Sequence, residues 1–233
     1  MSTKKPAPKW ELDAKETIKT QIRRITKPLQ DQLERDVSEA DTRTLIMDFL
    51  HLALGYDKFE DLSAEQRIRG EFADYIIKID KQDKAVIEVK RTAQDLNSRH
   101  LRQAETYAVN KGIFWVFLTN GRVWQAYRTW ATTGQPVKTD LVVEVDILGD
   151  ETPSKKADKL FHFSKPALRK ETLAELYRKK SATAPKSLAD ILMSDTVIQA
   201  IRREIRKETG YNPAPLEIID SLKTGVITTD LEK

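Results

Sequence analysis

Apolar residues recur at helical spacing early in the chain: Ile18, Ile22, Ile25, Leu29 and Leu33 fall on one stripe, the pattern of an amphipathic helix. A helix over 10–37 is predicted. Pro28 is expected to kink or split it, because proline removes an intrahelical hydrogen bond. A second helix is predicted over 39–54, with Ser38 as N-cap, Asp41 as the acidic partner of a capping box and Gly55 as the C-terminal stop. The period then changes to two. Residues 72–80 and 85–91 read as paired strands joined by a turn at 81–84. A helix over 97–110 ends at Gly112, and 113–118 reads as a buried strand. Asn120-Gly121 is a hairpin signal leading into a strand over 122–129, and 141–147 adds another. Beyond that, 149–158 (GDETPSKKAD) reads as a linker, and two or three helices follow. The clearest covers 188–209, with Ser187 as N-cap and Gly210-Tyr211 as its end. The order predicts an α/β protein: a disordered tail at 1–9, a sheet core with N-terminal helices over 10–148, and a helical C-terminal extension over 149–233.

Composition narrows the function classes. The chain has 233 residues, 39% apolar and 33% charged, the balance of a globular protein with a heavily charged surface. A net charge of +4 permits a nucleic-acid partner without requiring one. Cysteine is absent, which excludes disulfides and cysteine–zinc sites. No apolar run approaches the ~18 residues needed to span a membrane. The basic start, Met1 to Lys9, lacks the apolar region of a signal peptide, so a cytoplasmic protein is expected. There is no GxxxxGK[ST] phosphate loop and hence no sign of a built-in ATP motor.

The candidate chemistry sits on the strand pair ADYIIKID and KAVIEVKR. Alternate side chains of a strand share a face, so Val86, Glu88 and Lys90 point one way and Ala85, Ile87 and Val89 the other. Charges on an apolar strand are costly unless paired or bound to a metal. If the turn sets Ile79 opposite Ala85, Asp74 faces Lys90 and lies diagonal to Glu88, on the same side of the sheet. A register shifted by one residue would put Asp74 on the wrong face; a bulge would restore it. One Mg²⁺ (or Mn²⁺) bridging the two carboxylates would polarise a phosphate and generate hydroxide, and Lys90 would orient the water. The alternative is a surface hairpin with a Glu–Lys cross-strand pair.

These residues match a known pattern. The Asp74…Glu88-x-Lys90 arrangement resembles the signature of the PD-(D/E)XK nucleases. The stretch from SEADTRTLIMDFLHLALGYD through HLRQAETYAVNKGIFWVFLTNGRVWQAYR resembles the N-terminal nuclease domain of type I restriction enzyme R subunits. The similarity covers roughly residues 38–130 and returns weakly at LFHFSKPAL. It implies a restriction-endonuclease-like mixed β-sheet core and a metal-dependent DNA endonuclease of the restriction or defence type. Asp74 and Glu88 would be metal ligands, with Glu39 as the helix carboxylate that completes the site, although a first-turn acid also suits the helix dipole and Asp41 is close by. Lys90 would be catalytic, and Gln103 and Tyr107 would match the Gln-x-x-x-Tyr helix motif, although Gln103 also reads as a solvated helix residue and Tyr107 as core packing. Ala73 stands where the name-giving proline would be, and the helicase motor is missing. Any ATP-driven translocation would therefore come from another protein or not at all, with separate specificity or motor subunits as candidate partners.

Arg67, Arg69, Arg91, Arg99 and Arg102 cluster around this constellation and are candidates for DNA phosphate contact, which positions without reading sequence. Arg202, Arg203, Arg206 and Lys207 form a second basic group on the late helix, equally consistent with a solvated face. His51, His100 and His162 show no metal-ligand spacing. The competing function is a catalytically silent nuclease-fold module that binds DNA or docks on a partner subunit. A homodimer and an RNA substrate also fit these residues.

Overall fold

Lys9–Glu34 form α1 in the computed structural model, which describes residues 6–68, 71–132 and 134–227. Ile18, Ile22, Ile25 and Leu29 are its buried stripe. The expected break at Pro28 is absent, and the helix runs through it. Pro28 and Arg24, whose carbonyl the proline ring leaves without its intrahelical donor, both lie on the exposed side. Water can satisfy that carbonyl while Ile25 and Leu29 anchor the helix on either side. Helix α2 spans Glu39–Leu52. Its N-cap Ser38 accepts from the Asp41 N–H at 3.2 Å and donates its hydroxyl to the Asp41 carboxylate at 2.7 Å.

Six strands follow: β1 (Leu62–Ile68), β2 (Glu71–Ile79), β3 (Gln82–Val89), β4 (Trp115–Thr119), β5 (Val123–Trp130) and β6 (Lys138–Asp146). They lie side by side in chain order. Only β3 and β4 are parallel, and the chain between them is α3 (Ser98–Lys111), the crossover that a parallel pair requires. Asn97 caps α3 through its side chain, and Gly112 ends it in the left-handed region at φ 68°. The architecture is an α/β mixed sheet flanked by helices. Strand β1 was not anticipated. Its sequence, LSAEQRI, lies at the edge of the sheet and is too polar to stand out from a loop.

On one face, Ile76, Val86, Val116 and Leu118 pack against Leu101, Ala104, Tyr107 and Ala108 of α3, and Ala73 joins the same cluster. On the other, Phe163 sits tilted against Phe117 (4.8 Å) and edge-on to Trp124 (5.8 Å), and Phe49 of α2 meets Trp124 at 5.5 Å. Phe163 belongs to a 3₁₀ turn, Phe161–Phe163, between α4 (Pro153–Leu160) and α5 (Lys165–Arg169). The expected linker at 149–158 is thus half helix. Thr152 caps it, and Ala157 and Leu160 are buried.

The chain divides into two compact units, Met1–Glu175 and Leu176–Lys233, so the extension expected from 149 is shared between them. Helix α6 (Thr172–Ala182) carries the chain from one unit to the next. The second unit holds α7 (Pro185–Leu192), α8 (Asp195–Thr209) and α9 (Pro215–Gly225), with Ile198 and Ile218 buried. The single helix expected over 188–209 is two. Ser194 adopts extended backbone and its hydroxyl turns back to the Ile191 carbonyl at 2.7 Å. Its side chain competes with helical pairing at that point. Among the described residues no helix is long and apolar enough to cross a membrane.

Candidate active site

The hairpin between β2 and β3 turns at Asp80-Lys81, not over 81–84; both residues have positive φ, 52° and 64°, the geometry of a type I′ turn. Beside it Ile79 pairs with Gln82 and Lys78 with Asp83, and then the register jumps, so that Ile77 pairs with Ala85. Lys84 is the extra, bulged residue. Without it, counting from the turn would set Asp74 opposite Ile87, on the wrong face. With it, the pairing continues through Tyr75 and Ile87 and brings Asp74 beside Glu88. The observed register differs by two residues from the expected one, which had Ile79 opposite Ala85. The parity is kept, and Asp74 neighbours Glu88 directly instead of Lys90.

Asp74 accepts a hydrogen bond from the Val89 N–H at 2.7 Å. Lys90 follows the end of β3, and its own N–H donates to the Thr119 carbonyl at 2.8 Å. The segment beyond is braced by buried polar groups: Thr92 meets Thr42 of α2 and Gln32 of α1, and Asn120 donates to the Gln94 carbonyl. The Lys90 backbone is therefore fixed by the sheet, α1, α2 and the β4–β5 turn together.

Four of the expected residues converge. Lys90 Nζ donates to Glu88 Oε1 at 2.5 Å and stands 3.9 Å from Glu39 Oε2, at the first turn of α2. A residue the sequence did not suggest, Arg43, joins them. It donates to Glu39 at 3.0 Å and lies 3.4 Å from Asp74 Oδ1. Glu88 is only 3% exposed. Burial pushes its carboxyl up to about 7; the Lys90 hydrogen bond opposes this and the neighbouring Asp74 charge adds to it. Asp74 is also raised by burial, against the Val89 N–H and Arg43. His100, one turn into α3, is held below its usual range by burial and by the Lys90 and Arg99 charges. It is hydrogen-bonded to Gln94 at 2.9 Å.

The helix partners divide. Gln103 is half-buried, one turn beyond His100. Tyr107 is fully buried in the α3–sheet core, and its hydroxyl has no hydrogen-bond partner. Burial raises its pKa, with the Asp83 charge adding to the shift. Asp83 lies five positions before Glu88 on β3, about 16 Å away at 3.3 Å per residue. Tyr107 packs with Ala73, Ile76, Val86 and Leu118, the apolar neighbours of the carboxylates. Among the basic residues, Arg91, Arg99 and Arg102 are exposed, and Arg91 pairs with Asp36 at 3.2 Å. Arg67 falls within β1, not before the first strand, and Arg69 lies outside the described residues.

The donor chemistry suits a hard divalent cation, because the converging ligands are all carboxylate oxygens. Two neighbouring carboxylates, one of them buried and difficult to ionise, are what a dication stabilises. The fit is to a two-carboxylate site. Among the described residues no group of three or more His, Cys, Asp or Glu is gathered closely enough to hold a metal, and Glu39 is bridged to the pair through Lys90 and Arg43. No family model, curated protein or solved structure matches the chain.

Proposed function

We propose that the chain is a Mg²⁺- or Mn²⁺-dependent DNA endonuclease with the restriction-endonuclease-like core of the PD-(D/E)XK nucleases. The observation that carries this reading is the bulge at Lys84. It sets Asp74 beside Glu88 on the face where Lys90 emerges, and a bulge that gathers charges among the buried apolar residues Ile76, Val86 and Val89 marks a site better than a surface. The metal, when bound, would polarise the phosphate and lower the pKa of a water.

The protein's own groups have distinct tasks. Asp74 and Glu88 would hold the cation, with the Val89 N–H fixing the Asp74 carboxylate. Lys90 directs its ammonium at the attacking water and the charge that develops on the phosphate, with Glu39 setting its position. Arg91, Arg99 and Arg102 contact phosphates without reading bases. Sequence choice would then fall to separate specificity or motor subunits, or to a second copy of the chain.

A second reading is a silent module that binds DNA or docks on a partner. It is favoured by one observation: Arg43 and Lys90 already neutralise the carboxylates. Cleavage assays on supercoiled, linear and single-stranded DNA, and on RNA, with Mg²⁺, Mn²⁺ or EDTA separate the two. Metal-dependent cutting that EDTA abolishes is expected. DNA binding with no cutting of any substrate in either metal would establish the silent module instead.

A further inference from the structure

We propose that Arg43 is the resident counter-cation of the acid cluster: it holds Glu39 and Asp74 until a divalent metal displaces it, and its guanidinium then contacts the phosphate backbone of DNA. This rests on the metal-dependent nuclease reading above. From sequence, Arg43 is four residues from Glu39 and reads as an ordinary helix ion pair. In the structure its terminal nitrogens face carboxylates of two different elements. Nη2 donates to Glu39 Oε1 in α2 at 3.0 Å, and Nη1 stands 3.4 Å from Asp74 Oδ1 in β2. The Asp74 side chain is 13% exposed and that of Arg43 29%, so water screens the contact only in part.

Asp74 has two oxygens, and the Val89 N–H takes Oδ2. Oδ1 faces Arg43, so the guanidinium stands where a metal held by Asp74 would approach. Guanidinium and dication would therefore compete for the same carboxylate, and a bound dication would release Arg43 from Asp74. Arginine suits the second half of the cycle as well as the first. Its planar fork binds carboxylate and phosphate alike, so the side chain released from Asp74 is ready for the substrate that arrives with the metal. Coupling of this kind makes DNA affinity rise when metal binds, and metal affinity rise with DNA.

The test uses the full chain and the variants Arg43→Ala and Arg43→Lys. Mn²⁺ binding is measured by calorimetry without DNA. Duplex affinity is measured in a Lys90→Ala background, so that substrate is not cut, with Mn²⁺ and with EDTA. Arg43→Ala should bind Mn²⁺ about threefold to fivefold tighter, the change expected when one partly exposed ion pair is removed. Arg43→Lys should fall between it and wild type, because one ammonium does not span both carboxylates. Duplex affinity should drop about tenfold in Mn²⁺, as for loss of a charge-assisted hydrogen bond, and about twofold or less in EDTA. A folded Arg43→Ala that binds Mn²⁺ no tighter than wild type makes Arg43 a structural brace and overturns the inference alone. If that variant does not fold, Arg43→Lys decides by the same comparison. Mn²⁺ binding by none of the proteins overturns the nuclease reading as well.

Discussion

Glu88 is a buried acid whose ionisation is opposed by burial and by Asp74, and that makes it a stability liability in the metal-free protein. Its carboxyl titrates near 7 in the folded chain against 4.5 for the ordinary group. A raised acid pKa means that the unfolded chain gives up its proton first. Folding therefore loses stability as pH rises from about 4.5 to about 7, and the full penalty remains above that. Glu88→Gln should stabilise the protein in EDTA at pH 8 by up to about 3 kcal/mol and should do little at pH 4.5. Thermal or urea unfolding at the two pH values reads this directly, and equal effects at both would contradict the assignment. Lys90→Ala should behave differently. Cleavage should fall by about 10²–10³-fold, the cost of one positioned charged donor, while duplex binding stays nearly unchanged. Stability at pH 8 should also fall, because the buried Glu88 carboxylate loses its Lys90 partner, and wild-type cutting rates in the purified variant would defeat the nuclease reading. The charges of Asp74, Glu88 and Lys90 were legible in the sequence because charge on an apolar strand is costly and therefore conspicuous. Arg43 was not, since a cation one turn from Glu39 is indistinguishable from a surface helix pair until Asp74 is seen beside it. Tyr107 carried two readings for the opposite reason: a core tyrosine and a site tyrosine look the same in sequence, and its burial in the α3–sheet core fits the first.

At the scale of elements, the β2–β3 hairpin has two irregularities that act together. The tight turn at Asp80-Lys81 fixes one parity and the bulge at Lys84 reverses it. Hydrophobic alternation revealed both strands but not the bulge, because Lys84 and Asp83 are polar in either register. Edge strand β1 escaped notice for the same lack of apolar contrast, whereas the α3 crossover was legible from the Asn97 cap and the Gly112 stop. The turn carries an avoidable cost. Lys81 is exposed and sits at φ 64°, where a β-carbon costs roughly 1–2 kcal/mol. Lys81→Gly creates the Asp-Gly pair that type I′ turns favour. It should stabilise the protein by about 1 kcal/mol, or roughly 2–4 °C in Tm for a chain of this size. It should leave cleavage unaltered, because the site lies at the far end of the strands. A lower Tm would show that Lys81 makes a contact outweighing its backbone strain.

On the scale of the whole molecule, the boundary that matters is at Glu175, not at 148. Composition alone made GDETPSKKAD look like a linker, since its lysines and acids mask a helix that buries only Ala157 and Leu160 alongside the Lys156 stem. The residues after it complete the core. Phe163 is fully buried against Phe117 and Trp124, its carbonyl accepts from the Tyr56 hydroxyl at 2.6 Å, and Lys165 binds Asp61. Deleting a buried phenylalanine costs about 3–5 kcal/mol by itself, against a total stability of about 5–15 kcal/mol for a domain. A chain truncated after residue 150 should therefore lose its cooperative unfolding transition. One truncated after Glu175 keeps Phe161, Phe163, Leu168 and the buried Leu173. It should fold, bind Mn²⁺ as the full chain does and, if the nuclease reading holds, cut DNA at a comparable rate. Circular dichroism melts and calorimetric titration of the two truncations decide the matter. A 1–150 fragment with a sharp native-like transition would mean that the aromatic cluster is an accessory to the sheet core. A 1–175 fragment that folds and yet loses DNA binding would assign that role to the second unit, where Arg202, Arg203, Arg206 and Lys207 lie on α8.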